Sequence, residues 1–333
     1  MADEQVDRGA PIAPIVDVHL SEDDLDKALR IDVEAGLTAS PKSLPPKWFY
    51  DERGSELFDQ ITNLVEYYPT EAEREILLRH APEIVDVANA ETIIELGSGT
   101  SDKTRAILDA ATDRGTLRRF VPFDVSEAFL RQSVDRLATL YPATAVHGVV
   151  GDFDHHLAYL PSGDRQLMMF LGGTLGNYGP VERKTLLATI VGRQEPGDHV
   201  LLGVDLVKDI DRLELAYDDP HGVTAAFNMN VLHVVNRQLD ADFDVDRFAH
   251  VARFDTEHEW MDLSLRSLDD QRIHIGALGI DIDFAAGELL RTEVSCKFRR
   301  ARFENELRSV GLEPVMWRTD TAGDFAVSLS RVL

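Results

Sequence analysis

Cysteine is almost absent from this chain: Cys296 is the single one in 333 residues. No internal disulfide can form, which fits a reducing compartment, and Cys296 reads as a buried thiol rather than a nucleophile. Basic charge is scarce as well, with 34 Lys and Arg against 59 Asp and Glu and a formal net charge of −25. A surface of that sign repels a nucleic-acid backbone or an anionic membrane, so neither is expected as a partner, and small or cationic ligands are. No apolar run is long enough to span a bilayer, and no basic-then-apolar signal opens the chain. Segment 1–18, acidic and proline-bearing, is expected to be a disordered tail. Internal repeats and low-complexity tracts are missing. What remains is the composition of a cytoplasmic, monomeric protein of about two domains.

A further absence is local. The apolar pair Ile93-Ile94 leads into Glu95-Leu96-Gly97-Ser98-Gly99-Thr100-Ser101-Asp102-Lys103-Thr104, which reads as a strand, a glycine turn and a helix. Gly97 and Gly99 let backbone approach a ligand at the carboxyl edge of a parallel sheet. The third glycine of a dinucleotide motif is missing, and Asp102 takes its place. The same Asp102 interrupts a phosphate-loop reading, where a carboxylate would repel phosphates. S-adenosylmethionine carries a sulfonium and an amine and no phosphate, so electrostatics favours it among the three. NAD and a plain structural turn stay open at this point.

Downstream spacing supports an adenosine-type ligand. Phe120-Val121-Pro122-Phe123-Asp124 reads as a second strand whose terminal carboxylate suits ribose hydroxyls, and Ala145 to Phe153 as a third ending in Asp152 and Phe153, an acceptor for an adenine amino group and a ring for its face. A fourth strand, Gln166 to Leu171, enters the glycine-rich edge Gly172-Gly173-Thr174-Leu175-Gly176-Asn177, and a fifth spans His199 to Asp205. Strands alternating with helices predict an α/β, doubly wound Rossmann-like sheet. The helix Phe303 to Val310, with Gly311 as its stop, and two further strands at Leu312–Trp317 and Phe325–Ser330 are expected to complete that sheet. The cofactor domain is therefore split, over 72–208 and 297–333, leaving 19–71 and 209–296 for a second, α+β substrate-binding domain. Within it Ile273 to Phe284 alternates like a sheet with one polar face, and Thr292 to Phe298 continues the alternation, with Glu293, Ser295 and Lys297 on one face.

The blocks Pro41 to Asp51, Gly54-Ser55-Glu56-Leu57-Phe58, Glu66-Tyr67-Tyr68-Pro69-Thr70, the Glu95 turn, Phe227-Asn228 and Thr292 to Phe298 together resemble the bacterial L-histidine Nα-methyltransferases of ergothioneine biosynthesis. The resemblance covers nearly the whole chain past Leu29. It implies a class I methyltransferase sheet and three methyl transfers from S-adenosylmethionine to the α-amine of histidine, giving hercynine and S-adenosylhomocysteine. Carried over residue by residue, it implies cofactor contacts at Tyr50, Gly97, Ser98, Lys103, Asp124, Asp152 and Phe153. It implies a carboxylate grip at Asn177 and Tyr217, ring contacts at Glu293 and Ser295, Tyr67 at the reacting amine, and Gly172 and Leu263 completing the acceptor side. Two positions depart from the family: Gly173 stands where serine is usual, and Leu263 replaces a methionine beside the ring.

Attack on the sulfonium methyl needs a neutral amine. A phenol with an ordinary pKa of about 10 is a poor base near neutrality, so Tyr67 is assigned positioning and water the proton. The alternatives are an Nα-methyltransferase for another amino acid, such as tryptophan, and a non-catalytic ligand-binding protein on the same scaffold. Glu293 and Ser295 argue for a polar ring. No metal is expected: the His155-His156 pair lacks ligand spacing, and Asp240 to Asp246 lacks the mid-loop glycine and terminal glutamate of a calcium loop.

Overall fold

The fold was analysed in a computed structural model that describes residues 12–99, 101 and 103–333. Strand β1 (Ile15–Val18) and helix α1 (Glu22–Thr38) lead into β2 (Lys42–Ser43), α2 (Glu52–Thr62) and α3 (Pro69–Ala88). The alternating region follows as β3 (Thr92–Leu96), α4 (Arg105–Asp113), β4 (Arg119–Asp124), α5 (Glu127–Leu140), β5 (Ala145–Val150), β6 (Gln166–Phe170), α6 (Pro180–Val191) and β7 (His199–Asp205). Next come α7 (Ile210–Tyr217), α8 (Val223–Leu239), β8 (Phe248–Asp255), β9 (Trp260–Ser267), β10 (Gln271–Ile275), β11 (Ile280–Phe284) and β12 (Leu289–Cys296). The chain closes with α9 (Arg300–Ser309), β13 (Leu312–Thr319) and β14 (Phe325–Val332).

Eight strands form the main sheet in the order β1-β5-β4-β3-β6-β7-β14-β13. Pairing is parallel from β1 to β7 and antiparallel at β14 and β13. Every residue of β3, β6 and β7 is buried, as expected of parallel strands covered by helices on both faces. The chain runs outward from β3 through β4 to β5, then returns to place β6 on the other side of β3. That reversal opens a crevice at the carboxyl ends of β3 and β6, the usual ligand position in such sheets. One apolar core lies under α3, α4 and α5 and the other under α6 and α9.

The second layer is a four-stranded sheet, β2-β12-β9-β8, and a β10-β11 hairpin, packed with α1, α2 and α8 around a core that includes Leu29, Val33, Phe49, Phe227, Leu265 and Phe284. Helix α1 starts sharply because Ser21 and Asp24 form a reciprocal cap: the Asp24 N–H donates to Ser21 Oγ and the Ser21 N–H to Asp24 Oδ2, each at 3.2 Å.

Two expectations change. The tail over 1–18 is not wholly unstructured: residues 1–11 lie outside the described part, but Ile15–Val18 adds a parallel edge strand to β5, satisfying backbone groups that would otherwise stay open. The substrate-side segment does not begin at 19, because the His19 N–H reaches the Val150 carbonyl at 3.0 Å and Leu20 packs in the main-sheet core; the chain crosses over at Ser21. The sheet-like alternation over 273–284 forms a hairpin, with Gly276 to Gly279 as its turn. The C-terminal helix and hairpin complete the sheet as the sequence indicates.

Candidate active site

The carboxyl ends of β6 and β7 meet a pocket roofed by the second layer, lined on one side by Gly172, Gly173, Asn177 and Asp205 and on the other by Tyr50, Tyr67, Tyr217, Leu263, Glu293 and Ser295. Residues from seven separate stretches thus converge there.

On the cofactor side, the turn after β3 is pinned to β4. The N–H groups of Gly97 and Ser98 donate to the Phe123 carbonyl at 2.8 and 3.1 Å, and the Gly99 N–H donates to Asp124 Oδ2 at 2.9 Å. Gly97 has φ 68°, and a Cβ there would lie 3.2 Å from Phe153 Cζ, so both backbone shape and close approach require glycine. Phe153 is wedged against Phe123 and Phe170, with ring centroids 5.7 and 5.1 Å away. Asp152 Oδ1 accepts from the N–H groups of Asp154 and His155 at 2.8 and 3.0 Å. Burial raises the Asp124 carboxyl, against the opposing hydrogen bonds from Ser126 and Gly99.

Glu95 points into this turn and is buried. Its carboxyl accepts from Ser101 Oγ at 2.8 Å and from Thr104 Oγ1, and burial pushes its pKa up to about 7 despite them. Ser98 Oγ is buried with no protein partner. That orphaned hydroxyl, the bare Gly97 and the Phe153 ring together fit a nucleoside ligand. Thr100 and Asp102 lie outside the described residues, so the discrimination read from Asp102 has no structural counterpart here.

Lys103 is held by a residue the sequence reading missed. Glu73, in the first turns of α3 and fully buried, pairs with Lys103 Nζ and accepts the Gly172 N–H at 2.8 and 3.0 Å. It thereby ties the β3 turn to the β6 turn. In sequence Glu73 sits among Glu71 and Glu75 and looks like part of a solvated acidic face, so no local signal marks it.

On the acceptor side, β12 carries Glu293, Ser295 and then Lys297 past the turn Thr174–Asn177. A bulge at Thr292 interrupts its pairing with β9, so Arg291 faces Ser264 and Glu293 faces Leu263. The Thr292 hydroxyl closes the bulge on the Leu263 carbonyl at 3.0 Å. Glu293 receives a hydrogen bond from the Asn177 side chain; burial raises its carboxyl to about 7, against Lys297 and that bond. Tyr217 Oη and Ser295 Oγ are 2.9 Å apart and both accept from Lys297 Nζ at 2.8 Å. The ring-side and carboxylate-side residues inferred from the resemblance are therefore linked in pairs, Asn177 to Glu293 and Tyr217 to Ser295.

Behind them, Asp205 at the end of β7 accepts from Lys297 at 2.9 Å, from the Tyr68 hydroxyl at 2.9 and 3.0 Å, and from Lys208. Burial would raise this carboxyl, but the two ammonium groups outweigh it and hold it below the usual range. Asp205 and Tyr68 enter the sequence reading only as a strand end and part of a motif, and Lys208 is not singled out there. The Tyr217 carbonyl is anchored too: Asn228 Nδ2 donates to His250 Nδ1 at 2.8 Å and His250 Nε2 donates to that carbonyl at 2.9 Å, with burial lowering the ring pKa and keeping it neutral.

Aromatic rings enclose the pocket. Tyr50 lies 5.5 Å from Phe58 and 5.4 Å from Phe227, Phe58 6.4 Å from Tyr67, and Tyr67 6.1 Å from Tyr217, mostly edge to face. Burial, Tyr217 and Glu293 push the Tyr67 phenol well above 10. Among the described residues no cluster of three or more His, Cys, Asp or Glu is arranged to hold a metal ion, and no helix is long and apolar enough to cross a membrane.

Comparison with known proteins shows the family. The family model described as histidine-specific methyltransferase, SAM-dependent, matches residues 29–332. The chain is 54% identical over 312 residues to histidine N-alpha-methyltransferase of Mycobacterium tuberculosis and 53% identical to that of Mycolicibacterium smegmatis, in each case covering 94% of this chain and 97% of the relative. It is 33% identical to ergothioneine biosynthesis protein 1 of Schizosaccharomyces pombe, over 64% of this chain and 29% of that one. With its doubly wound sheet, its glycine turn and a family match spanning nearly all of its length, the chain belongs to the S-adenosylmethionine-dependent, histidine-specific methyltransferases.

Proposed function

We propose that this chain is an L-histidine Nα-methyltransferase that trimethylates the α-amine to hercynine, a step of ergothioneine biosynthesis. The observation that carries the reading is the convergence of Asn177, Tyr217, Glu293 and Ser295 on one pocket beside the β3 turn, in a chain 54% identical to a histidine N-alpha-methyltransferase.

Tyr50, Gly97, Ser98, Lys103, Asp124, Asp152 and Phe153 hold S-adenosylmethionine in this reading. When bound it supplies a methyl on a cationic sulfonium; each transfer forms an N–C bond, breaks the S–C bond and leaves S-adenosylhomocysteine. Asn177 and Tyr217 grip the amino-acid carboxylate, Glu293 and Ser295 meet the imidazole, Leu263 packs against the ring, and Gly172 and Tyr67 border the α-amine. Holding the amine at a fixed position removes the entropy cost of a bimolecular encounter. A phenol displaced above its ordinary pKa does not take up a proton-accepting role near neutrality, so Tyr67 orients the amine and water receives its proton. The quaternary product cannot donate hydrogen bonds, and the rings of Tyr67, Phe58 and Phe227 stabilise it by cation–π contact, about 0.5 to 2 kcal/mol. The enzyme acts in the cytoplasm as a monomer and without a metal.

Incubation of the enzyme with histidine and S-adenosylmethionine, followed by mass spectrometry, tests this. Three successive methyl additions are expected on histidine and none on tryptophan. Methylation of tryptophan with histidine unchanged would overturn the substrate, and no turnover of any amino acid would overturn the enzyme.

A further inference from the structure

One buried cation behind the acceptor pocket has no role in the mechanism above. Lys297 lies two positions beyond Ser295, on the same face, and its side chain is 0% exposed. An ammonium has three N–H bonds and no lone pair. All three of its bonds are committed: to Tyr217 Oη at 2.8 Å, to Ser295 Oγ at 2.8 Å and to Asp205 Oδ2 at 2.9 Å. Asp205 is itself fixed by Tyr68 and Lys208, so the lysine is held from behind.

The two hydroxyls must therefore each accept from Lys297. They also bond to each other, at 2.9 Å. A hydroxyl owns one hydrogen and two lone pairs. Of the two hydrogens, one lies in the Tyr217–Ser295 bond; of the four lone pairs, two are taken by Lys297 and one by that bond. One hydrogen and one lone pair remain, on opposite oxygens. If Tyr217 donates its hydrogen to a ligand, Ser295 presents a lone pair.

We propose that Lys297 is a positioning residue that gives the Tyr217–Ser295 pair opposite polarities toward the bound amino acid: Tyr217 donates to the carboxylate, and Ser295 accepts from a ring N–H. The proposal rests on the histidine reading above and adds what that reading lacks, the direction of each hydrogen bond. Glu293, with the Asn177 side chain on it, is an acceptor on the other ring nitrogen when ionised, so the pocket selects a ring by the hydrogens it carries. A site with buried hydrogen-bonding groups rejects a ligand that leaves them unpaired.

The test uses two near-isosteres of histidine, the 2-pyrrolyl and 3-pyrrolyl alanines, in which C–H replaces one or the other ring nitrogen and the remaining nitrogen keeps its N–H. Preference is measured as the ratio of kcat/KM for histidine to that for each analogue, on one preparation, so the folded fraction cancels. In Lys297→Met the preference over the pyrrole isomer with C–H toward Ser295 is expected to fall about tenfold, the equivalent of one hydrogen bond, while the preference over the other isomer, which keeps the N–H toward Ser295 and reports on Glu293, stays within about twofold. Tyr217→Phe leaves the Lys297–Asp205 pair in place and is expected to lose preference over the same isomer, which keeps the test intact if the lysine variant does not fold. Unchanged ratios, or equal loss for both isomers, would overturn the proposal. A wild-type enzyme that does not methylate histidine overturns the functional reading, and this one with it.

Discussion

Glu293→Gln is expected to weaken function and strengthen the empty fold. Gln keeps the volume of the side chain and a carbonyl oxygen for the Asn177 amide, so the bulged strand keeps its shape; what leaves is the charge. A hydrogen bond to a charged group contributes about 1.5 to 3 kcal/mol, which at about 1.4 kcal/mol per decade is a loss of roughly 10- to 150-fold in kcat/KM for histidine. The reacting amine is at the other end of the substrate, so the loss appears in KM for histidine and leaves KM for S-adenosylmethionine unchanged. Stability moves the other way. Burial raises the carboxyl from its ordinary 4.5 to about 7, so the folded state favours the protonated form. Its contribution is fully present below pH 4.5 and is lost as pH rises through about 7, beyond which the ionised group costs the fold about 3 kcal/mol, at about 1.4 kcal/mol for each pH interval of one. Melting curves of the ligand-free proteins from pH 5 to 9 should therefore converge at the acid end and separate at the alkaline end, with the variant more stable there. Initial rates of S-adenosylhomocysteine formation supply the kinetic half. A variant with wild-type KM for histidine, or a stability difference that does not grow with pH, would refute the reasoning.

The same geometry makes three further predictions. Tyr67→Phe keeps the ring and loses the hydroxyl; all three methylation rates should fall by about tenfold, the scale of one hydrogen bond, with no shift in the pH profile, and unchanged single-turnover rates would remove Tyr67 from the amine. Phe227→Leu should weaken binding of the trimethylated product by about 2- to 30-fold, the span of a cation–π contact, and binding of unmethylated histidine by less; calorimetry showing equal losses would count against the aromatic enclosure. Gly203→Ala places a Cβ 2.0 Å from Glu73 Oε1, so the carboxylate that joins Lys103 to Gly172 must move. At the 1 to 3 kcal/mol typical of overpacking, affinity for S-adenosylmethionine should fall about tenfold, and wild-type affinity would mean that Glu73 does not position Lys103.

Sequence and structure agree where function depends on neighbours in the chain. The turn from Glu95, the carboxylates ending β4 and the β5 loop, and the ring at Phe153 are each announced by a strand pattern followed by a glycine or an acid. The doubly wound architecture is legible for the same reason, since alternating strands and helices leave few ways to wind. Glu73, Asp205 and Lys208 were not legible as site residues, because burial of a charge depends on what folds over it: packing against β14, β13 and β7 turns the face of α3 that carries Glu73 inward, and the acid survives there only because Lys103 and a backbone N–H meet it. The amino-terminal strand was missed because four residues with an aspartate among them carry too little pattern.

The acceptor face lies between these cases. Alternation along 292–298 correctly puts Glu293, Ser295 and Lys297 together, but period two says only that they share a face, not which face. The choice is made by the bulge at Thr292, which inserts one residue against β9 and is locked by the Thr292 hydroxyl on the Leu263 carbonyl. Without that extra residue every side chain beyond it would turn over: Glu293 and Ser295 would leave the pocket, Lys297 would lose Asp205, and Val294 and Cys296 would face the substrate. The polar contacts that distinguish histidine from an apolar amino acid thus hang on the backbone register of one strand, and a threonine outside the pocket governs specificity as directly as the residues that line it.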